Sequence, residues 1–438
     1  MNFVRVIAAL ATVSPLFAQY GGPAILARGQ SPGPMSVSQI DFRPFVSVEG
    51  TYDTGLNGVS VDANGAPVSD ASFGVILSFG VSGMHSWKHT KIGVNYSGGY
   101  TLYGKSFYSG VNSEGLQLSL THQLSRHAVF SLNNNAVMYG SNTASPTLPP
   151  TVEFDPATTY VPTNDFFDNR TFSLSTQASL TIQKSTRTSY SVGLDAFLTR
   201  RWSSALYGSK GVGAHGDVMY RLSRRSTIGG IFQYMHYSFT GIYGSTDMYT
   251  VAASYSRSFS RTVEMSATGG ITQYENVFVE TVPIDPAIAA VIGVSSAQRV
   301  TYVKNLMPNL SFRLSKVVPR GTVFVYASNG LNPGNGLFLT STSTTAGVGY
   351  NYTGLRRWAL SAGANYNTST SYGNVYGQYG SYSANLSASR RVAPMTHGVV
   401  SFNLRKYDSG DFQNYNKWSY GLSLGLSFSP GDIPVRLW

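Results

Sequence analysis

The chain has 438 residues, no cysteine, and 31 Lys and Arg against 20 Asp and Glu, a formal charge of +11. Only 12% of residues are charged, about half the share usual in a soluble domain, while Gly (46) and Tyr (29) are abundant. A disulfide scaffold and a Cys-ligated zinc site are excluded. So are a polytopic helical membrane protein, which needs repeated apolar runs of about 20 residues, and a disordered chain, given 13% aromatics.

Residues 1–18 predict a secretory signal peptide. Arg5 precedes an apolar stretch from Val6 to Val13, Ser14-Pro15 breaks any helix, and Leu16-Phe17-Ala18 offers a cleavage site before Gln19. Residues 19–41 read as an N-terminal periplasmic segment. In an exported chain the dispersed positive charge does not point to nucleic acid.

From residue 42 to 429 the hydrophobic period is two, the signature of strands. Leu116, Leu118 and Leu120 alternate with Gln117, Ser119 and Thr121, and Phe172, Leu174, Ala178, Leu180 and Ile182 with small polar residues. Trp358, Leu360, Ala362, Ala364 and Tyr366 repeat the scheme. In the last segment Trp418, Tyr420, Leu422, Leu424, Leu426 and Phe428 alternate with Lys417, Ser419, Gly421, Ser423, Gly425 and Ser427. Residues 430–438 form a C-terminal tail.

Short turns share one chemistry: Leu124-Ser125-Arg126, Lys184-Ser185-Thr186-Arg187, Leu222-Ser223-Arg224-Arg225, Phe259-Ser260-Arg261, Leu314-Ser315-Lys316, Leu355-Arg356-Arg357 and Ser389-Arg390-Arg391. The opposite strand ends carry longer connections, roughly 53–70, 104–113, 140–169, 199–210, 240–247, 275–297, 329–338, 367–376 and 407–414. The pattern predicts 18 strands, nine long loops and eight short turns. Runs of 11 to 16 residues are too long for propeller blades and suit tilted membrane-spanning strands.

The expected fold is all-β, a single transmembrane antiparallel up-and-down barrel. Its polar faces hold Ser, Thr, Asn, Gln and Gly with few charges, unlike a water-facing surface. In lipid the apolar faces turn outward, closure removes unpaired edges, and the polar faces line the interior. The last-strand set Trp418, Tyr420, Leu422, Leu424, Leu426 and Phe428 is expected to face lipid. The charges expected to face the lumen are Lys91, Asp195, Asp217, Glu264, Arg313, Arg405 and Lys417, sparse and of mixed sign. Such a lining suits water, ions and neutral hydrophilic solutes rather than a strongly selective ion path. The apolar run 286–294 is too short to span a bilayer and predicts a helix that folds inward at the mouth.

No metal-ligand spacing joins the seven histidines, and neither GxSxG nor a P-loop occurs. His215 and Asp217 share one strand face without the geometry of a hydrolytic triad. Catalytic, metal and cofactor residues are therefore none, and an enzyme is not expected.

Overall the chain resembles bacterial outer-membrane barrels of the porin type. More narrowly, Arg43-Pro44-Phe45 through Gly50-Thr51-Tyr52-Asp53, and Tyr220-Arg221-Leu222-Ser223-Arg224-Arg225, are similar to the barrels found with exopolysaccharide export systems. Thr54-Gly55 departs from the Asp-Asn of those barrels, and a tail to Trp438 follows the aromatic Phe428. The resemblance implies an outer-membrane location, a channel for hydrophilic solutes, and polysaccharide export as its sharper form. Implied partners are outer-membrane lipids, the barrel assembly machinery and periplasmic polysaccharide-export proteins. A non-conducting structural or ligand-binding barrel and a barrel enzyme remain as alternative readings.

Overall fold

A computed structural model describes residues 39–54, 71–104, 111–139, 170–202, 206–332, 339–352, 358–371, 378–409, 418–429 and 433–436. Residues 1–18, read above as a signal peptide, Lys417 and the segment 140–169 lie outside the described residues. The strands are β1 (Gln39–Asp53), β2 (Ser72–Ser86), β3 (Thr90–Tyr103), β4 (Val111–Gln123), β5 (Ala128–Tyr139) and β6 (Thr171–Gln183). They continue with β7 (Thr188–Arg201), β8 (Gly208–Arg221), β9 (Ser226–Thr240), β10 (Gly244–Ser258), β11 (Val263–Pro283) and β12 (Ser296–Val318). The last are β13 (Gly321–Asn332), β14 (Ser341–Tyr352), β15 (Trp358–Ser371), β16 (Gln378–Ala393), β17 (Thr396–Ser409), β18 (Trp418–Phe428) and a short β19 (Ile433–Arg436). A helix, α1 (Pro286–Ile292), caps the β11–β12 hairpin.

Each strand pairs antiparallel with the next, and β18 returns to β1 with Phe428 opposite Val46. The result is a closed 18-stranded barrel, as the alternation predicts. Residues 433–436 resume the pairing along the start of β1, with Ile433 opposite Phe42 and Arg436 opposite Gln39. β19 thus extends the final strand past Pro430 rather than adding a nineteenth stave.

Period-two alternation sets the two faces. On β18 the six apolar side chains from Trp418 to Phe428 are 45–65% exposed, while Ser423 and Ser427 between them are buried. On β7, Tyr190, Val192 and Leu194 face out and Asp195, Phe197 and Thr199 face in. Apolar groups on the outer surface of a closed sheet have no core to bury them, so their solvent is lipid.

Two charged rims bound this belt. On β10, outward-facing Arg257 and Asp247 lie ten residues apart with only Tyr255, Ala253, Val251 and Tyr249 between. On β12 the corresponding pair, Lys316 and Lys304, lies twelve apart. At about 3.4 Å per residue and a tilt of about 40°, these intervals rise about 26 to 31 Å, matching the apolar band of about 25 Å. Aromatic groups mark the edges. Tyr52 meets Phe73 at 4.7 Å and Tyr420 at 6.2 Å across the closing seam. Arg390 lies over Trp358, Arg257 over Phe259 and Lys406 over Trp418.

The recurring Ser-Arg turns have a local cause. Ser125, Ser185, Ser223 and Ser260 each turn a side-chain oxygen onto backbone N–H groups two or three residues on, at 3.0–3.2 Å. The hydroxyl replaces a ladder partner at the reversal. Two expected turns lie elsewhere. Leu314-Ser315-Lys316 and Ser389-Arg390-Arg391 remain inside β12 and β16, and the chain reverses at Pro319-Arg320 and Pro394-Met395. Proline presets the first turn position and overrides the serine signal. Residues 353–357 lie outside the described set.

The strands also run further than expected at the long-loop end. The connection expected over 240–247 contracts to Gly241-Ile242-Tyr243, with Gly241 at φ +89°, a left-handed conformation open to glycine. The connection expected over 275–297 is strand to Pro283 and again from Ser296. Beyond Phe278, which faces Gly244, β11 and β12 pair only with each other. The helix at their tip does form, and it is not packed against the inner wall: Val291 is 85% exposed and Ile288, Ile292 and Val294 stand out as well.

Candidate functional site

The inner wall is the candidate site. Its residues come from the polar phase of every strand and bond across neighbouring strands. Ser131 meets Ser179 at 2.7 Å, Ser401 meets Ser423 at 2.7 Å, and the Ser423 hydroxyl donates to Glu49 Oε2 at 2.8 Å. Further round, Thr250 meets Thr272 at 2.8 Å and the Ser343 hydroxyl donates to Asn367 Oδ1 at 3.0 Å. Each of these cross-strand pairs satisfies its own polar groups on the wall itself.

Register places the charges expected inside as follows. Lys91 faces inward on β3 opposite Thr121, Asp195 on β7 opposite Gln177, and Asp217 on β8 opposite Ser191. Glu264 on β11 stands opposite Ser315, Arg313 on β12 opposite Ser266 and Arg405 on β17 opposite Ser419. Lys417 lies outside the described residues. The six are dispersed over six strands rather than gathered into one centre. Arg313 lies over the inward-facing Phe324 ring, with its guanidinium carbon 5.7 Å from the ring centroid.

On β7 and β8 the side chains of Asp195 and His215 are in contact. His215 Nδ1 lies 2.7 Å from Asp195 Oδ2, and the Asp195 side chain is almost wholly covered. Gly193 makes room for it: a Cβ there would fall 2.2 Å from the imidazole Cε1. The ring lies flat on the wall over that glycine and reaches diagonally to the next strand. The contact braces two adjacent strands of the inner wall.

Sequence reasoning did not place Glu49 and Asp53 inside. Both lie on the inward phase of β1, with Phe45, Ser47 and Thr51. The alternation Phe45-Ser47-Glu49-Thr51-Asp53 was a sufficient signal, had the strand been carried through Asp53.

A second feature was not expected. At the long-loop end the inner wall is apolar. Phe197, Met235, Tyr237, Phe239, Met248, Tyr274 and Phe278 form one buried cluster with Leu331 and Leu339. The last two flank the β13–β14 connection. β13 leaves its ladder with β12 at Asn329, opposite Leu310, two residues short of Pro308, which has no N–H to donate. Residues 330–332 then turn in and stay paired with β14 alone. Thr340 reaches the wall of β9 and β10: its Oγ1 lies 3.4 Å from the Tyr237 hydroxyl and 3.1 Å from Thr246 Oγ1. Thr246 in turn donates to Asn276 Oδ1 at 3.0 Å. Tyr237, Thr246, Asn276 and Thr340 are all 0% exposed. The stems of this connection therefore cross the inner faces of β12, β11 and β10 and are anchored there by apolar packing and a closed hydroxyl chain.

The signal for this lay in Ile231-Phe232-Gln233-Tyr234-Met235-His236-Tyr237-Ser238-Phe239. A barrel strand with bulky groups on both faces needs a cover on its inner face.

The closed sheet with an apolar exterior and a polar interior is a transmembrane barrel of the outer-membrane type. No protein-family model and no curated protein matches the chain. Solved structures do resemble it. OccK2 (OpdF) of Pseudomonas aeruginosa, in complex with glucuronate, is 9% identical with a TM-score of 0.46, over 91% of this chain and 98% of that one. A BenF-like porin from Pseudomonas fluorescens Pf-5 is 9% identical with a TM-score of 0.44, over 90% and 99%. Pseudomonas aeruginosa OpdQ is 9% identical with a TM-score of 0.42, over 92% and 98%.

Proposed function

We propose that the protein is a water-filled outer-membrane conduit for hydrophilic solutes, narrowed at one mouth by the stems of the β13–β14 connection, residues 330–332 and 339–340. The observation that carries this reading is the inner wall itself. Closure of 18 strands leaves an aqueous lumen, and its lining is Ser, Thr, Asn and Gly with dispersed charges of both signs. The long connections lie outside the cell and the Ser-Arg turns face the periplasm, the orientation usual in such barrels. Outer-membrane lipids are its solvent, and the aromatic-ended β18 is the segment presented to the barrel assembly machinery.

In planar bilayers the purified protein gives conductance steps with a weak preference between cations and anions. Absence of conductance, in the wild type and with the mouth opened, returns the protein to the structural reading. The finer reading, polysaccharide export in company with periplasmic export proteins, is supported by the Ser-Arg turn resemblance. A deletion strain that loses surface polysaccharide supports it. Normal polysaccharide with reduced small-solute uptake leaves a general porin.

A further inference from the structure

We infer that the outer wall across β6–β9 is a seat for one phosphorylated glycolipid of the outer leaflet, of the lipid A type. This rests on the orientation proposed above. On this face short residues interrupt the apolar belt. Thr176 and Ala196 stand side by side, with Leu174 and Leu198 above them and Val212 beside Ala196. They line an open groove of about 510 Å³. Below it the belt resumes with Leu194 and Val192, 65% and 64% exposed. A groove of this kind takes an acyl chain that lies along the strands.

Its upper end is cationic. Lys210 faces outward opposite Leu198, and Arg200 is the next outward residue on β7. Diagonal neighbours of this kind have backbones about 7–8 Å apart, so both long side chains can meet on one phosphate. Both are exposed. The neighbouring acids on the same face are engaged elsewhere. Asp247 accepts from the Tyr234 hydroxyl at 2.7 Å and lies 3.0 Å from His236 Nδ1. Glu275 accepts from Lys304 at 2.6 Å and from Gln273 at 3.2 Å. Among the described residues neither Arg200 nor Lys210 has an acidic partner. Two unneutralised cations above an apolar groove, at the height where the belt ends, match an amphiphile with its anion up and its chain down. His236 and Ser238 border the same groove and add polar partners for a sugar headgroup.

The test uses the full barrel refolded in neutral detergent and titrated with diphosphoryl lipid A. Lipid A raises the temperature at which the heat-modifiable folded band is lost. Arg200→Gln with Lys210→Gln weakens binding by about tenfold per cation. Ala196→Trp, which fills the groove, also removes the shift while leaving both cations. Lys406→Gln, a cation on the far side of the same rim, keeps it. If the double variant does not refold, Lys210→Gln alone carries the test. An equal shift with dephosphorylated lipid A, or with the cation variants, overturns the proposal. So does a shift with phosphatidylglycerol and none with lipid A, or an oligomer that the double variant dissolves without any lipid effect. Protease shaving of intact cells tests orientation separately: cleavage within 284–295 places the long connections outside whether or not lipid A binds.

Discussion

At the scale of single residues, the outcome of a substitution depends on phase more than on residue type. Leu424 and Ser423 are neighbours in sequence and stand on opposite sides of the wall. Leu424→Arg puts a guanidinium in hydrocarbon, at a cost of roughly 2–4 kcal/mol at the bilayer midplane. Ser423→Arg puts the same group beside Glu49, whose Oε2 already accepts from the Ser423 hydroxyl. Urea titrations of the refolded barrel should show the first loss and little change for the second. Equal losses would refute the assigned faces. This phase was legible because small polar and large apolar residues strictly alternate on β18. It was less legible on β1, where Asp53 resembles a loop residue and stands on the inner wall opposite Ser72.

The hairpin is the element of this fold, and its reversal is coded by two competing signals. Where no proline stands nearby, Ser takes the first turn position and its hydroxyl caps the next N–H groups. Ser223 does this for Arg225 at 3.1 Å and also donates to the Ser226 hydroxyl at 3.0 Å. Ser223→Ala removes one cap and should cost about 0.5–1.5 kcal/mol, read as a lower urea midpoint with an unchanged slope. Ser315→Ala, in the same sequence context but inside β12, should not act through a turn. Much of the strand order was legible from these motifs. The tripeptide alone could not separate a turn from a strand three to five residues before a proline, so Leu314-Ser315-Lys316 and Ser389-Arg390-Arg391 misplace their reversals. Strand length at the other end was hidden for a different reason. Val277, Phe278 and Val279 keep the strand period although acids around them suggest a loop. The helix at the tip was legible from its apolar run. Its exposure was not, because the run sits at the tip of a hairpin in which β11 and β12 pair only with each other.

For the whole molecule, the barrel wall and the mouth are separate constructions, which makes the channel reading testable in one step. The β12–β13 ladder ends at Leu310 and Asn329, so residues 330–332 add ladder bonds to β14 alone. The mouth is narrowed by stems that stay on the inner wall through Leu331 and Leu339, 4% and 3% exposed, and through the hydroxyls of Thr340, Tyr237 and Thr246. Leu331→Asp with Leu339→Asp puts two carboxylates into that cluster and costs roughly 3 kcal/mol or more per site, enough to release the stems. The barrel should still refold and run as a compact heat-modifiable band. Its single-channel conductance should rise above wild type, with ion preference still weak because the dispersed inner charges are untouched. Leu310→Ala, an outward change at the same junction, should leave conductance as it was. If the double aspartate variant folds and conducts no better than wild type, the β13–β14 connection does not set the width of the path.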